Sequence, residues 1–281
     1  MTSRFEPLAC PDVASLIGAP VESVEELLNY GYRAAWKVWA GGTSFAVKAD
    51  IRPGFQENEF TAHRNAGRAG VPVPEIVGFA GTPLPTLVLR WVDGVALHET
   101  ASGTSWRHAG ALLARAHLAP VLRPLTGTWS EFLFAWFARE LPYVVEHCGL
   151  GQTEAAAALG RAAELRPVLD AGPAAWLHGD CQSAHFVVDP QSDDVVALID
   201  WADAQPGDPV MDLAVLAMSH GHVDEILEGY GADSDFSERA RLLVPLYQSV
   251  RAAGAARWLD AHGYPRVDWP VDLMRRFARG G

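Results

Sequence analysis

Trp176-Leu-His-Gly-Asp-Cys-Gln-Ser-Ala-His-Phe-Val-Val-Asp189 and the segment that follows it, Val196-Ala-Leu-Ile-Asp-Trp-Ala-Asp-Ala-Gln-Pro-Gly-Asp-Pro-Val-Met-Asp212, are the most informative part of this chain. His185 to Val188 and Val195 to Ile199 are short β segments on either side of the turn Asp189-Pro-Gln-Ser-Asp-Asp194, so the spacing predicts a hairpin. A His-Gly-Asp loop stands ahead of that hairpin, and Asp200 closes its second strand. Asp203 and Asp208, ahead of Pro206-Gly207 and Pro209, read as turn formers or helix caps.

Upstream, the pattern is β-rich. Pro11 to Gly18 reads as a short helix ended by glycine, and Val21 to Leu28, Ala34 to Ala40 and Ser44 to Asp50 as a meander turning at Gly41-Gly42-Thr43. Glu57 to Ala69 has helical character until Val71-Pro-Val-Pro74 stops it. Glu75 to Ala80 and Thr86 to Val92 read as two more strands, and Trp91-Val-Asp-Gly94 as a connector. Beyond it the composition becomes rich in Ala and Leu. Ser105 to Ala119 and Ser130 to Glu146 read as helices, the latter with Phe132, Leu133, Trp136, Phe137 and Leu141 on one face as core. The expected division is residues 1–92 and 93–281.

With 281 residues, the chain is long enough to bury its own core. Its three cysteines lack metal or redox spacing, and no apolar leader or spanning segment is visible, so a cytoplasmic protein without membrane attachment is expected. A net charge of −12 argues against a nucleic-acid partner. The acidity is uneven: ten acids face eight Lys and Arg up to Asp93, and twenty-four face fourteen beyond it. The second part reads either as a solvated acidic surface or as a field that attracts cations. No feature points to a protein partner.

The His178 to Ala214 block resembles the aminoglycoside phosphotransferase and choline kinase superfamily, which shares the protein-kinase fold. There, His-Gly-Asp-x-x-x-x-Asn is followed by a hairpin, an Ile-Asp-Trp or Ile-Asp-Phe segment and Gly-Asp-Pro-x-x-Asp-Leu. The resemblance implies an α+β chain with a small antiparallel N-terminal nucleotide-binding lobe and a larger helical C-terminal lobe for catalysis and acceptor binding. It also implies transfer of the γ-phosphate of ATP or GTP, with Mg²⁺ or Mn²⁺, to a small-molecule hydroxyl.

Carried over residue by residue, Asp180 is the base that orients the acceptor hydroxyl, and Asp200 is a metal ligand. His185 stands where the usual pattern has Asn, as macrolide kinases do, and is expected to bind metal, to bond a phosphate or to brace the loop. His178 and Asp212 are expected to be braces. Lys48, in Ser44-Phe-Ala-Val-Lys48, is expected to meet the phosphates and pair with Glu59. Gly31 is the only glycine of the loop that would cover the phosphates. Arg90 and Val92 fall where the purine edge would meet the backbone.

An aminoglycoside-type or related amino-sugar acceptor, cationic in character, agrees with the acidic second part. Trp106 or Trp201 is expected to offer a stacking surface, and Asp224, Glu225 and Glu228 to shape the acceptor pocket. The other readings are a kinase for macrolides or other small molecules, a catalytically weak nucleotide-binding regulatory module, and a metallohydrolase built on His178, Asp180, His185 and Asp200.

Overall fold

Strict alternation along the chain builds the first sheet. In this computed structural model, which describes residues 6–100, 102–218, 220–265 and 268–280, a short helix α1 (Ala14–Ile17) ends at Gly18 in the left-handed conformation. Strands β1 (Val21–Asn29), β2 (Arg33–Ala40) and β3 (Thr43–Asp50) follow. The β2–β3 turn is Gly41-Gly42, with φ of 57° and 74°, a left-handed pair that glycine adopts without the Cβ penalty. Thr43, expected in that turn, is the first residue of β3.

Along β2 and β3 buried and half-buried residues alternate. One face places Trp36, Val38, Phe45 and Val47 in a core with Val13, Leu16 and Val88. Burying each of these larger side chains contributes about 1.5–3 kcal/mol. The opposite face carries Arg33, Ala35, Lys37 and Trp39 on β2, with Ser44, Ala46 and Lys48 on β3.

Helix α2 (Phe55–Arg68) comes next, then β4 (Ile76–Ala80) and β5 (Thr86–Arg90), completing an antiparallel sheet in the order β1-β2-β3-β5-β4. A two-residue strand β6 (Val95–Ala96) is too short to be read from the sequence. Helices α3 (Gly103–His117), α4 (Trp129–Tyr143), α5 (Gln152–Glu164) and α6 (Arg166–Asp170) precede β7 (Ala175–Leu177). Thr128 and Glu131 close the start of α4 with a reciprocal capping box. Of the expected stripe Leu133, Phe137 and Leu141 are buried, at four-residue spacing, whereas Phe132 points outward and stacks on Trp129. The expected five-residue core stripe is therefore narrower than the sequence suggested.

The predicted hairpin is β8 (Phe186–Val188) and β9 (Val195–Leu198), and β6 joins it to make three strands. Strand β10 (Gln205–Gly207) pairs with β7. Helices α7 (Val210–Ala217), α8 (Val223–Tyr230), α9 (Ser234–Ala261) and α10 (Trp269–Arg279) complete the chain. The fold class is α+β, with a five-stranded antiparallel sheet in the N-terminal region and a mostly helical C-terminal part.

By packing, the chain forms two units: residues 6–109 with 178–204, and residues 110–177 with 205–280. This grouping differs from a boundary after Val92, because the His-Gly-Asp loop and its hairpin pack with the sheet-bearing segment. Among the described residues, no helix is long and apolar enough to cross a membrane.

Candidate active site

The first unit contains every residue singled out for phosphate, metal and proton chemistry. Gly179 has φ of 84°, and a Cβ there would stand 2.1 Å from the Asp203 carbonyl oxygen, so the His-Gly-Asp loop requires glycine. His178 is fully buried and its Nε2–H donates to the Ile199 carbonyl oxygen at 2.8 Å, tying the loop to the end of β9. Its ring also lies 4.7 Å from that of Trp201. Asp180 accepts two hydrogen bonds from the exposed Gln182 amide, at 2.9 and 3.1 Å.

His185 Nδ1 lies 2.7 Å from the Asp180 carbonyl oxygen. A carbonyl only accepts, so Nδ1 carries the hydrogen, and in the neutral ring the lone pair sits on Nε2. That atom is 3.7 Å from Asp200 Oδ2.

Asp200 follows β9 with φ of 66°, a left-handed conformation that Asp tolerates better than most residues. Both of its oxygens are engaged: Lys48 Nζ donates to Oδ1 at 2.7 Å, and the Arg33 guanidinium donates to Oδ2 at 2.5 Å. Lys48 also donates to Glu59 on α2, which Gln56 supports from one turn earlier. Asn58, on the same helix, donates to the Ala202 and Ala204 carbonyl oxygens and ties α2 to the segment after Asp200.

Burial is the largest influence on Asp200 and pushes its pKa up, but Lys48, then Arg33 and His185, hold it well below the carboxylate range. Burial likewise pulls the Lys48 ammonium down, and Asp200 and Glu59 reverse it to a net rise. Glu59 shares its ammonium with Asp200, so burial leaves its pKa raised. Of the two carboxylates that meet Lys48, Asp200 is the one whose pKa is lowered.

Arg33 was not visible as a site residue in the sequence. Its partner is 167 positions away, and its place at the end of the Gly31 turn was the only signal. That turn is tight: Tyr30 N–H donates to the Arg33 carbonyl oxygen, and Gly31 N–H to Asn29 Oδ1. Gly31 has φ of 77° and is buried, so its amide serves the turn itself. Arg90 is similarly committed, its N–H donating to Glu75 O, and Trp91 N–H donates to Ser44 O.

Lys37 lies on the same face of the sheet as Lys48, with its ammonium 4.0 Å from the Trp91 ring centre and 5.1 Å from that of Trp39. The face thus runs from cations at Arg33 and Lys48, past Ala35 and Ala46, to aromatic rings. The seven residues of β-strand from Arg33 to Trp39 span about 20 Å.

Two stacking candidates are corrected. Trp106 and Trp201 are buried to 1% and 0% exposure, and Trp201 Nε1 donates to Leu198 O, so both are core residues. In the second unit Asp212 is buried and accepts from His117 at 3.1 Å. Asp224 bonds Arg241, and Glu225 lies 3.5 Å from His222.

The same fold occurs in several solved kinases. The choline kinase LicA from Streptococcus pneumoniae aligns with a TM-score of 0.72 at 18% identity, over 95% of each chain. A putative fructosamine-3-kinase from Thermobifida fusca aligns with a TM-score of 0.70 at 23% identity, over 96% of this chain and 97% of its own. A thermostable aminoglycoside phosphotransferase in ternary complex with ADP and hygromycin B aligns with a TM-score of 0.66 at 19% identity, over 96% and 97%. No curated protein sequence matches the chain. Residues 36–252 match the model of the phosphotransferase enzyme family APH, and the chain belongs to that family.

Proposed function

We propose that this phosphotransferase moves the γ-phosphoryl group of ATP or GTP to a hydroxyl of a cationic small molecule, an aminoglycoside-type antibiotic or a related amino-sugar. The observation that carries the reading is Asp200, gripped by Lys48 and Arg33 and faced by His185. Phosphoryl transfer needs such a charge arrangement far more than it needs covalent chemistry.

The chain's own donors fit a divalent cation bound together with phosphates. Among the described residues, no three His, Cys, Asp or Glu side chains converge on one point. The metallohydrolase reading therefore lacks a ligand set, and His178 is occupied as a brace. Asp200 and His185 Nε2 supply two donors, which suits Mg²⁺ or Mn²⁺ taking its remaining ligands from phosphate oxygens and water. When bound, that ion neutralises the phosphates.

Lys48, held by Glu59, points its charge at the phosphates. The alanines and Trp39 leave a flat surface for the base, and Val92 meets its edge. Asp180 lets go of Gln182, orients the acceptor hydroxyl and takes its proton as the oxygen bonds to phosphorus. The phosphorus bond to the β-phosphate oxygen breaks, and the nucleoside diphosphate leaves. The acceptor class rests on the acidity of the chain beyond Asp93, which favours a polycation.

The committed amides of Tyr30 and Gly31 favour a second reading, a nucleotide-binding regulatory module with little turnover. Incubation with γ-labelled ATP and GTP against aminoglycosides, macrolides and small aminoalcohols separates the two. Label in an aminoglycoside supports the proposal. Label in a macrolide or aminoalcohol alone overturns the acceptor class, and nucleotide binding without label in any acceptor favours the regulatory module.

A further inference from the structure

We infer that Arg33 is a mobile counter-charge, which holds Asp200 Oδ2 in the free protein and passes to the nucleotide phosphates when the divalent cation takes that oxygen. The inference rests on the phosphotransferase reading above and assigns a role to a residue outside the matched stretch 36–252.

In the free protein the Arg33 and Lys48 cations balance the Asp200 and Glu59 anions. A divalent cation arriving alone must displace a cation from Asp200 and leave it near the metal, with only the fields of Glu59 and Asp203 to offset its charge. Charge repulsion and the lost ion pair both oppose that step. Phosphates arriving with the metal remove both penalties, because they accept the released guanidinium in a two-pronged contact.

The local backbone supports the same assignment. A phosphate-covering turn ordinarily offers amide hydrogens, but Tyr30 and Gly31 spend theirs within the turn. Arg33 is the residue that ends this turn, on the same face of the sheet as Lys48 and with its side chain 21% exposed. It therefore supplies from a side chain the positive charge that the short turn does not supply from its backbone.

The consequence is a coupling between metal and nucleotide that depends on Arg33. Wild type, Arg33→Met and Arg33→Lys would be titrated with Mn²⁺ alone, with a non-hydrolysable ATP analogue alone, and with both. Free Mn²⁺ is read by electron paramagnetic resonance and binding heat by calorimetry. Wild type should bind Mn²⁺ weakly alone and much more tightly with nucleotide.

Arg33→Met should bind Mn²⁺ alone roughly tenfold more tightly, bind the nucleotide roughly ten- to hundredfold more weakly, and lose most of the coupling. Arg33→Lys keeps the charge without the fork and should retain part of the coupling, which a purely structural role would not predict. If wild type binds nucleotide and both variants match it in Mn²⁺ affinity and in coupling, the role of Arg33 is overturned while the nucleotide-binding reading stands. If wild type binds no nucleotide with or without Mn²⁺, the underlying reading falls and this inference with it.

Discussion

Asp200 and Asp208 are both enclosed carboxylates paired with cations, and their surroundings differ. Asp208, in the helical unit, is 2% exposed and fully subscribed: Arg239 donates to both oxygens, Tyr247 donates its hydroxyl, and Val210 N–H caps Oδ1. Trp129 in turn donates to the Tyr247 oxygen at 2.9 Å. Burial first, and then Asp208, push the Tyr247 pKa upward, so its proton stays in the network.

Asp200 is 17% exposed, carries a left-handed backbone, and holds its cations from strands that come from elsewhere in the chain. A closed network satisfies every lone pair and fixes the fold, whereas an open one leaves room for exchange of partners. The distinction predicts that damage at the two places will register in different measurements.

The largest effect is expected in the rate. Asp180→Asn should lower acceptor-dependent transfer by about 10² to 10⁴ while leaving nucleotide affinity nearly unchanged, since the hydroxyl loses its base and the phosphates lose nothing. Steady-state rates set beside calorimetry would check it, and near-normal turnover would remove Asp180 from the chemistry.

In the closed network, Arg239→Met leaves Asp208 buried without its cation. The expected cost is about 3–5 kcal/mol of stability, a fall in melting temperature of roughly 10 °C. A thermal melt that moves by less than a degree or two would show that Asp208 is no structural anchor.

His63 gives a third, pH-dependent contrast. It lies on α2 one turn from Glu59, buried, with Nε2 2.6 Å from the Pro74 carbonyl oxygen. Burial lowers its pKa to about 4 from the ordinary histidine value, the Pro74 bond opposes that, and Lys48 adds to it. Because the folded pKa is the lower one, the unfolded chain takes up the proton first as pH falls. The full contribution is present above about pH 6.5 and is lost on the way down to pH 4, by up to about 3 kcal/mol. His63→Gln keeps a donor for Pro74, so its stability in denaturant titrations should fall less over that window. Parallel curves for the two proteins would place the acid sensitivity elsewhere.

The smallest expected effect concerns the metal. His185→Asn should lower the ratio of Mn²⁺-supported to Mg²⁺-supported rate by a few-fold, because imidazole nitrogen favours Mn²⁺ over the harder Mg²⁺. An unchanged ratio would leave His185 as a brace on the Asp180 carbonyl.

How much of this was legible in the sequence follows from range. The sheet was readable because alternation and glycine turns act locally: the Gly41-Gly42 pair and the buried rhythm of Trp36, Val38, Phe45 and Val47 lie within a few residues. The His178 to Asp200 block was readable because the loop, hairpin and strand end follow one another along the chain. Arg33 and Arg239 were not, since each meets its carboxylate across a long sequence separation that no local pattern records. Asp208 read as a cap, and it does cap Val210, but that local role concealed the larger network. Trp106 and Trp201 read as available rings, because aromatic side chains look alike in a sequence whether they end in the core or at a site.

Asp200→Asn and Asp208→Asn would be compared side by side for melting temperature and for affinity toward a metal-bound, non-hydrolysable nucleotide. Asn tolerates the left-handed conformation at position 200, so the backbone there is kept. Asp200→Asn should melt within a few degrees of wild type and lose metal-dependent nucleotide binding. Asp208→Asn should melt roughly 10 °C lower, and the protein that remains folded should bind the nucleotide as wild type does. If instead Asp200→Asn keeps its metal-dependent nucleotide affinity, the open cluster around Asp200 is not where this phosphotransferase holds its phosphates.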